Sequence, residues 1–186
     1  MSYSVSDTIQ LRPVTISDAK ELFHLVDTNR AHLSEWLAWV GSTQTVKDTE
    51  GFLQSVTGQH AGETVFAIIF KRRLAGLISW RYVERVTKRV SLGYWMAAKF
   101  QGHGIMGACV NFLTAELFDH QNVTSVEIQA DTKNMKSRAV AERCQFRHCG
   151  TLEKYAYLNG GFRDHAFYIL TKEDWKHLKQ QEKQQS

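Results

Sequence analysis

The period of the hydrophobic pattern changes several times along this chain, and each change marks a predicted element. Short apolar or alternating runs predict strands at 8–14, 65–70, 74–82, 89–97 and 125–131. Apolar positions three and four residues apart predict helices that follow Ser17 or Asp18, cover 43–60, 104–119 and about 135–145, and begin again at Lys172. Thr45, with Asp48 three residues later, is expected to cap the second helix.

The order of these elements predicts one mixed sheet. The three strands between 65 and 97 follow one another through short links, which is typical of an antiparallel meander. The helix at 104–119 then crosses over, so the strand at 125–131 has to run parallel to the last strand of the meander. A hairpin is expected around Asn159-Gly160. We therefore predict a single α/β domain over 1–186, with a mostly antiparallel sheet of about six or seven strands flanked by helices.

Composition narrows the class of protein. With 186 residues, 43% of them hydrophobic, the chain is long enough for one domain with its own core. It has no apolar run of about 18 residues and no secretory leader, so we expect a cytoplasmic protein without membrane contact. Its three cysteines lack metal-ligand spacing, which argues against a metal site. The net charge of +4 is not gathered into one basic run, so an anionic ligand is expected rather than direct nucleic-acid binding.

A glycine-rich turn between the strand at 89–97 and the following helix carries most of the chemical information. Gly102, Gly104 and Gly107 leave the backbone N–H groups uncovered where a helix begins, which is typical of a phosphate or pyrophosphate site. The spacing also satisfies the dinucleotide pattern G-x-G-x-x-G, with Glu127 20 residues beyond Gly107. Against that reading, residues 97–101 separate the strand from the first glycine, and an antiparallel meander precedes it.

The same turn, read from Gln101, resembles the coenzyme-A pyrophosphate turn of the GCN5-related N-acetyltransferases (GNAT), Gln/Arg-x-x-Gly-x-Gly/Ala. Met106 departs from the small sixth residue, although Gly107 follows at once. Asn134 and Ser137 are similar to the Asn-x-x-Ser that opens the next helix in many members. The resemblance extends to the RimJ/RimL branch, which acetylates protein N-termini and includes ribosomal-protein serine acetyltransferases. The matching stretches are LGYWMAAKFQGHGIM, NMKSRAVAERCQF and YLNGGFRD.

This resemblance implies a GNAT fold with acetyl-CoA as co-substrate and no metal. The strands at 89–97 and 125–131 would splay apart, and the pantetheine would lie in the gap against backbone groups of Trp95, Met96 and Ala97. The Met96 N–H would polarise the thioester carbonyl. The cofactor-binding set implied by the resemblance is Trp95, Met96, Ala97, Gln101, Gly102, His103, Gly104, Ile105, Met106, Gly107, Asn134, Lys136 and Ser137. Basic residues around the site that can meet the 3′-phosphate are Lys99, Lys136, Arg138 and Arg143.

Ser137 is the candidate general acid for the departing thiolate, the alternative being an ordinary helix cap. No carboxylate occurs from Val90 to Phe100, where some RimL-like enzymes carry a glutamate before the turn. Asp131 is therefore the candidate base or amine contact, and Glu127 is a weaker one. An α-amine, with a pKa near 7.7–8.0, is neutral far more often at pH 7 than a lysine near 10.4, so a site without a strong base favours an α-amine.

Aromatic residues are the candidates for contact with the acceptor. Trp36, Trp39 and Tyr157 are candidate substrate contacts, and core packing is the alternative for the two tryptophans. The predicted function is acetyl transfer to a protein or peptide N-terminus. The alternatives are the same transfer to a small amine, such as a polyamine, an aminoglycoside or an amino-acid conjugate, and a non-catalytic acyl-CoA-binding module. The exposed hairpin edge makes a homodimer plausible.

Overall fold

A computed structural model describes residues 2–58 and 61–184. Its strands are β1 (Tyr3–Ser4), β2 (Ile9–Pro13), β3 (Thr64–Phe70), β4 (Arg73–Glu84), β5 (Arg89–Met96), β6 (Ser125–Asp131), β7 (Arg147–Leu158) and β8 (Gly161–Thr171). Its helices are α1 (Ala19–Asp27), α2 (Arg30–Leu33), α3 (Val46–Thr57), α4 (Ile105–His120), α5 (Met135–Arg143) and α6 (Lys172–Gln184). Within these residues the strands form one eight-stranded sheet in the order β1-β2-β3-β4-β5-β6-β8-β7.

The predicted mixed sheet with a single parallel pair is confirmed. β5 and β6 run parallel, and the other neighbouring strands run antiparallel. The sheet has eight strands rather than six or seven, since β1 is two residues long and too short to show a period. The hairpin turns at Asn159 (φ 52°) and Gly160 (φ 79°), the left-handed pair that a tight hairpin turn requires.

The predicted N-terminal caps of α1 and α3 have different outcomes in the structure. Thr45 caps α3 and accepts from the Asp48 N–H, as predicted. The last two residues of the helix predicted over 43–60 lie outside the described residues, and α3 ends at Thr57. Asp18 does not cap α1 with its side chain, because its carboxylate binds Arg12 and the Thr15 N–H instead. A short 3₁₀ turn, Ile16–Asp18, therefore leads into α1.

The parallel pair opens along its length. β5 and β6 pair over only four residues each, from Arg89 opposite Ser125 to Leu92 opposite Ile128. β5 nevertheless continues along β4, where a Cβ on Gly76 would come 2.1 Å from the Trp95 carbonyl oxygen. Because β4 holds the end of β5 this closely, the gap opens on the β6 side. This is the predicted splay.

Side-chain alternation gives the two faces of the sheet different neighbours. Tyr94 on β5 contacts Ser137 of α5, so its face of the sheet is covered by α4 and α5. Trp95 points the other way, and its ring lies 5.8 Å from that of Trp39 near α2. The α4 face is anchored by a buried row at four-residue spacing: Ile105, Cys109, Leu113 and Leu117. The end of β5 therefore has α4 and α5 on one face and the segment that carries Trp39 on the other.

Candidate active site

A cavity of about 1120 Å³ occupies the place where β5 and β6 part. Five segments line it: the stretch around α2, the end of β5, the glycine turn with the start of α4, the loop after β6, and α5. Of the predicted cofactor residues, those in its wall are Trp95, Met96, Gln101, Gly102, Gly104, Ile105, Met106, Gly107, Asn134, Lys136 and Ser137. Ala97 and His103 are not in the wall. The His103 ring instead lies against the carbonyls of Phe100 and Gln101.

The glycine turn has the backbone of an anion site. Gly102 (φ 79°) and Gly104 (φ 71°) are left-handed, a conformation that favours glycine, and Gly104 is the N-cap of α4. The Ala108 N–H bonds the Gly104 carbonyl at 3.0 Å and is the first helical bond of α4. The N–H groups of residues 105–107 therefore have no acceptor within the helix, and no acidic side chain occupies its first turn. They are available to a phosphate group.

Charged side chains also favour an anionic ligand in the first cavity. Lys133, Lys136 and Arg143 line the cavity, whereas Glu35 is the single carboxylate among the described lining residues. The Lys136 ammonium donates to Gln101 Oε1 at 2.9 Å, and Gln101 Nε2 lies 2.7 Å from His32 Nε2. Gln101 thus ties the turn to both α2 and α5.

The other basic candidates lie elsewhere. Arg138 donates to Tyr168 and to the Thr132 carbonyl, and Lys99 lies over the Phe100 ring. Neither side chain lines the cavity. Lys136 and Arg143 are therefore the two of the four predicted basic residues that the structure places in the cavity wall.

The end of β5 presents one particular backbone donor to the gap. The Ala97 N–H bonds the Ala75 carbonyl at 2.9 Å, and antiparallel bonds alternate, so Trp95 also pairs with β4. Met96 lies between them, opposite Gly76 in a non-hydrogen-bonded pair, and its N–H points toward β6. Of the three residues expected to offer backbone groups here, Met96 is the one whose N–H faces the gap.

Ser137 and Asn134 have separate roles in the structure. The Asn134 side chain caps α5 and accepts from the Ser137 N–H at 3.1 Å. The Ser137 hydroxyl makes no capping bond; it donates to the Tyr94 hydroxyl at 3.3 Å. Tyr94 in turn donates to the Ser137 carbonyl at 3.2 Å, and burial raises the pKa of Tyr94 well above its usual value. Tyr94 therefore stays protonated, and it was not singled out by the sequence.

The two predicted carboxylates lie away from the cavity. Asp131 accepts from the Lys133 N–H at 2.8 Å, and its other oxygen is 3.6 Å from Arg163. Glu127 is buried and held by the Arg89 guanidinium at 2.8 Å. Both side chains project from the Trp95 face of β6 and neither lines the first or the second cavity, and the role of Asp131 as the base stays a prediction.

A second cavity of about 810 Å³ lies on the other face of the sheet. It is bounded by α1, α3 and strands β3 to β5, and it shares Leu37, Tyr94 and Trp95 with the first cavity. Its apolar floor is formed by Leu22, Val26, Val65 and Leu77, all buried. The two cavities therefore meet at the end of β5, where Met96 and Ser137 lie.

The three predicted substrate residues lie in three different places. Trp36 lines the first cavity and Trp39 the second. Tyr157 lines neither: it is exposed on the β7–β8 hairpin and packs against Phe162. The hairpin tip nevertheless rests beside α2, because the Asn159 amide donates to the Ser34 carbonyl at 3.1 Å.

The chain matches a known family over most of its length. Residues 8–147 match the family described as an acetyltransferase (GNAT) domain. The chain is also 30% identical over 180 residues to the putative ribosomal N-acetyltransferase YdaF of Bacillus subtilis, covering 92% of this chain and 96% of YdaF. The chain therefore belongs to the GNAT acetyltransferase family. It is an acetyl-CoA-dependent N-acetyltransferase.

Solved structures show the same architecture. The microcin C7 self-immunity acetyltransferase MccE, in complex with acetyl-CoA and AMP, is 30% identical with a TM-score of 0.86, over 90% of this chain and 94% of that one. RimL, a ribosomal L7/L12 alpha-N-protein acetyltransferase in complex with coenzyme A, is 27% identical with a TM-score of 0.88, over 94% and 99%. The predicted family, fold and co-substrate are confirmed.

The described residues contain neither a metal-binding cluster nor a membrane-spanning helix. No three His, Cys, Asp or Glu side chains among them are grouped so that they could hold a metal ion. None of the helices in the described part of the chain is long and apolar enough to cross a membrane.

Proposed function

We propose that this enzyme acetylates the N-terminal α-amine of a protein or peptide by direct attack in a ternary complex. The observation that carries the proposal is that none of the three side chains shared by the two cavities, Leu37, Tyr94 and Trp95, is a carboxylate or a histidine. The lining carboxylates lie to either side of this point, the exposed Glu35 in the first cavity and Asp48 and Glu63 in the second. An α-amine costs about 3.5 kcal/mol less to deprotonate at neutral pH than a lysine side chain.

The relatives support the same choice of acceptor. YdaF is named as a putative ribosomal N-acetyltransferase, and RimL as an alpha-N-protein acetyltransferase. The hairpin that rests beside α2 adds exposed aromatic surface next to the first cavity, in Tyr157 and Phe162. A protein acceptor can use such surface, whereas a small amine cannot reach it.

Each residue near the end of β5, where the two cavities meet, has its own role in the proposed reaction. The Met96 N–H donates to the thioester carbonyl oxygen as that oxygen gains charge, a contribution of about 3–4 kcal/mol where such donors have been measured. The amine attacks the carbonyl carbon and the bond to sulfur breaks. The Ser137 hydroxyl gives its proton to the sulfur, and the proton released by the attacking nitrogen returns through water to the Ser137 oxygen. Lys136, Arg143 and the free N–H groups of the glycine turn hold the phosphates.

A thiol-release assay with three acceptor classes tests this proposal. Purified enzyme and acetyl-CoA are mixed with peptides bearing a free N-terminus, with N-blocked peptides bearing lysine, and with polyamines. Fast thiol release with the first class alone supports an N-terminal acceptor. Fast release with either of the other classes, and slow release with the first, contradicts it.

One observation favours a second candidate, an amino-acid conjugate of nucleotide type. MccE binds AMP together with acetyl-CoA, and the second cavity here is large and carries aromatic residues. In such an acceptor the reacting group is again an α-amine, so the chemistry at Met96 and Ser137 would be unchanged. Turnover of a hydrolysis-resistant aminoacyl adenylate analogue, compared with that of a peptide with the same first residue, separates the two candidates.

A further inference from the structure

The turn between β3 and β4 has basic residues at strained backbone positions. Lys71 and Arg72 connect the two strands, and both have a positive φ, 47° and 65°. Among the described residues they are the only two consecutive non-glycine residues with left-handed backbone. The β7–β8 hairpin turns with Asn159 and Gly160, which adopt this conformation at little cost. The β3–β4 turn therefore keeps two cations where Asn-Gly would be less strained, and such strain is typical of functional positions.

Two further cations lie beside this turn. The Arg73 guanidinium and the Lys99 ammonium are 5.9 and 5.1 Å from the centre of the same ring, that of Phe100. The Lys71 ammonium is 5.3 Å from the centre of the Phe70 ring, and the two rings are 6.3 Å apart. Four side chains thus form one group, the basic cluster: Lys71, Arg72, Arg73 and Lys99.

The charges of the basic cluster are not neutralised within the described part of the chain. All four side chains are exposed, and none makes an ion pair or a side-chain hydrogen bond with another described residue. In contrast, Arg12, Arg89 and Arg163 each have a carboxylate partner. Like charges held close together repel one another, and a bound anion relieves that repulsion. The cluster therefore fits an anionic partner.

The basic cluster lies outside both cavities but near the reaction centre. None of its four residues lines either cavity. Lys99 follows Met96 by three residues, so the two Cα atoms are at most about 11 Å apart. A protein whose N-terminus enters the gap can therefore reach the cluster with another part of its chain.

The chemistry of the cluster favours carboxylates over nucleic acid. Phe100 is buried, and cations already lie over the rings of Phe70 and Phe100, so these rings are not the open stacking surface that single-stranded nucleic acid uses. Four charges are also few beside the roughly six to ten phosphates that a nucleic-acid surface contacts. Two arginines and two lysines can instead pair with a short run of aspartates or glutamates.

We propose that the basic cluster docks an acidic segment of the protein that carries the acceptor amine, while the N-terminus of that protein occupies the gap between β5 and β6. This deepens the proposed function and rests on it. The second contact lies away from the reacting atoms, and it raises the local concentration of the N-terminus at the gap. Its effect is therefore on the KM for the acceptor and not on kcat.

The test compares two acceptor peptides that differ only in a tail. Both begin with serine and continue through a flexible Gly/Ser linker of about ten residues, which spans about 16–19 Å. The tail is a run of about six glutamates in one peptide and of glutamines in the other. At low salt we expect a KM about tenfold lower for the glutamate peptide, with a similar kcat. The KM ratio should approach one in about 1 M salt, where the Debye length is about 3 Å. A ratio near one at low salt overturns the docking site.

Two pairs of substitutions assign the effect to the basic cluster. Lys71→Asn with Arg72→Gly removes two charges and gives the turn the residues that it prefers. This pair should bring the KM ratio close to one while raising the melting temperature by about 2–4 °C. A purely structural role for the two cations would lower the melting temperature instead. Arg73→Gln with Lys99→Gln leaves the turn unchanged and should also reduce the ratio.

A matched control separates the cluster from the net charge of the protein. Lys176→Gln with Lys183→Gln removes the same charge from exposed positions on α6. This helix packs through Trp175 on Phe118, near the end of α4 opposite to the glycine turn. The control pair should keep the native KM ratio. A ratio that neither cluster pair reduces, or that the control pair reduces as much, overturns the proposal.

A binding measurement separates failure of the docking site from failure of the proposed function. Fluorescence anisotropy of labelled, N-acetylated oligoglutamate and of oligouridylate at low salt needs no turnover. Oligoglutamate binding that both cluster pairs weaken, without acetyl transfer to any α-amine, supports the docking site and removes the function. Transfer to α-amines without oligoglutamate binding or a tail effect removes the docking site alone. Tighter binding of oligouridylate, lost in the same variants, overturns the acidic protein in favour of nucleic acid.

Discussion

The Ser137 hydroxyl and the Tyr94 hydroxyl lie 3.3 Å apart, linking the first turn of α5 to the end of β5 across the α5 face of the gap. The Ser137 hydroxyl is thereby oriented by the phenol of Tyr94, which burial keeps protonated. The cap of α5 is supplied by Asn134 and not by Ser137. Because the cap and the hydroxyl are different residues, the catalytic role of Ser137 can be tested without unravelling α5.

Removing the Ser137 hydroxyl should damage turnover and not coenzyme binding. Ser137→Ala should lower kcat by about 10² or more, because the leaving thiolate loses its proton donor. The KM for acetyl-CoA should stay within about twofold, since the phosphates are held elsewhere. Ser55→Ala, on the outer face of α3, is the matched control and should behave as the native enzyme. An unchanged kcat for Ser137→Ala would assign the proton to another group.

Tyr94 should act through Ser137. Tyr94→Phe keeps the ring and removes the hydrogen bond, and we expect kcat to fall by about tenfold, the worth of one such bond. In the double variant with Ser137→Ala, the Tyr94 effect should largely disappear, since the hydroxyl that it orients is gone. Additive losses in this cycle would show that Tyr94 acts independently of Ser137.

The raised pKa of Tyr94, caused by burial, has a consequence for stability at high pH. The folded state holds this proton more tightly than the unfolded state, in which tyrosine titrates near 10. The resulting contribution to stability is fully present below pH 10 and is lost as the pH rises toward the folded-state pKa. Urea unfolding between pH 8 and 11 should therefore show a smaller alkaline loss in Tyr94→Phe than in the native protein. Equal losses in both would contradict the buried, protonated phenol.

The glycine turn should be sensitive at Gly104. Its left-handed backbone costs a side-chain-bearing residue roughly 1–2 kcal/mol. We expect Gly104→Ala to raise the KM for acetyl-CoA about tenfold, because the N–H groups that follow lose their alignment. Gly51→Ala, inside α3 with open space around it, is the control and should leave the KM unchanged while slightly raising the melting temperature. Unchanged KM values in both variants would move the phosphate site away from this turn.

Asp131 provides a test of the missing base. Because its carboxylate faces Arg163 and does not line the first cavity, Asp131→Asn should lower stability through the lost ion pair while keeping kcat within about threefold. Glu35→Gln, which changes a carboxylate that does line the first cavity, is the comparison for the kcat and its pH profile. A large loss of kcat in Asp131→Asn alone would restore Asp131 as the base.

The parts of the site that one short segment forms could be predicted from local signals in the sequence. The turn at Gln101–Gly107 was readable because left-handed glycines and a helix start leave a local pattern. The Asn134 cap is local in the same way, because its side chain accepts from an N–H three residues further on. These features depend on residues within a few positions of one another.

Features made between segments were missed. The Tyr94–Ser137 contact spans 43 positions, and the second cavity needs α1, α3 and three strands together. Asp131 was placed on the correct strand, but its partner Arg163 comes from β8 and is set by strand pairing. Periodicity assigns a residue to a face of its own strand, and it does not say what packs against that face.

The proposed acceptor is an α-amine, and one peptide can test this assignment directly. The peptide carries a free N-terminus and one internal lysine, so both amines meet the enzyme at the same concentration. Mass spectrometry of the fragments after partial acetylation locates the acetyl group. We predict acetylation of the N-terminal nitrogen over the lysine by about 300-fold, in line with the difference in deprotonation cost. Equal acetylation of the two amines, or a preference for lysine, would contradict the claim.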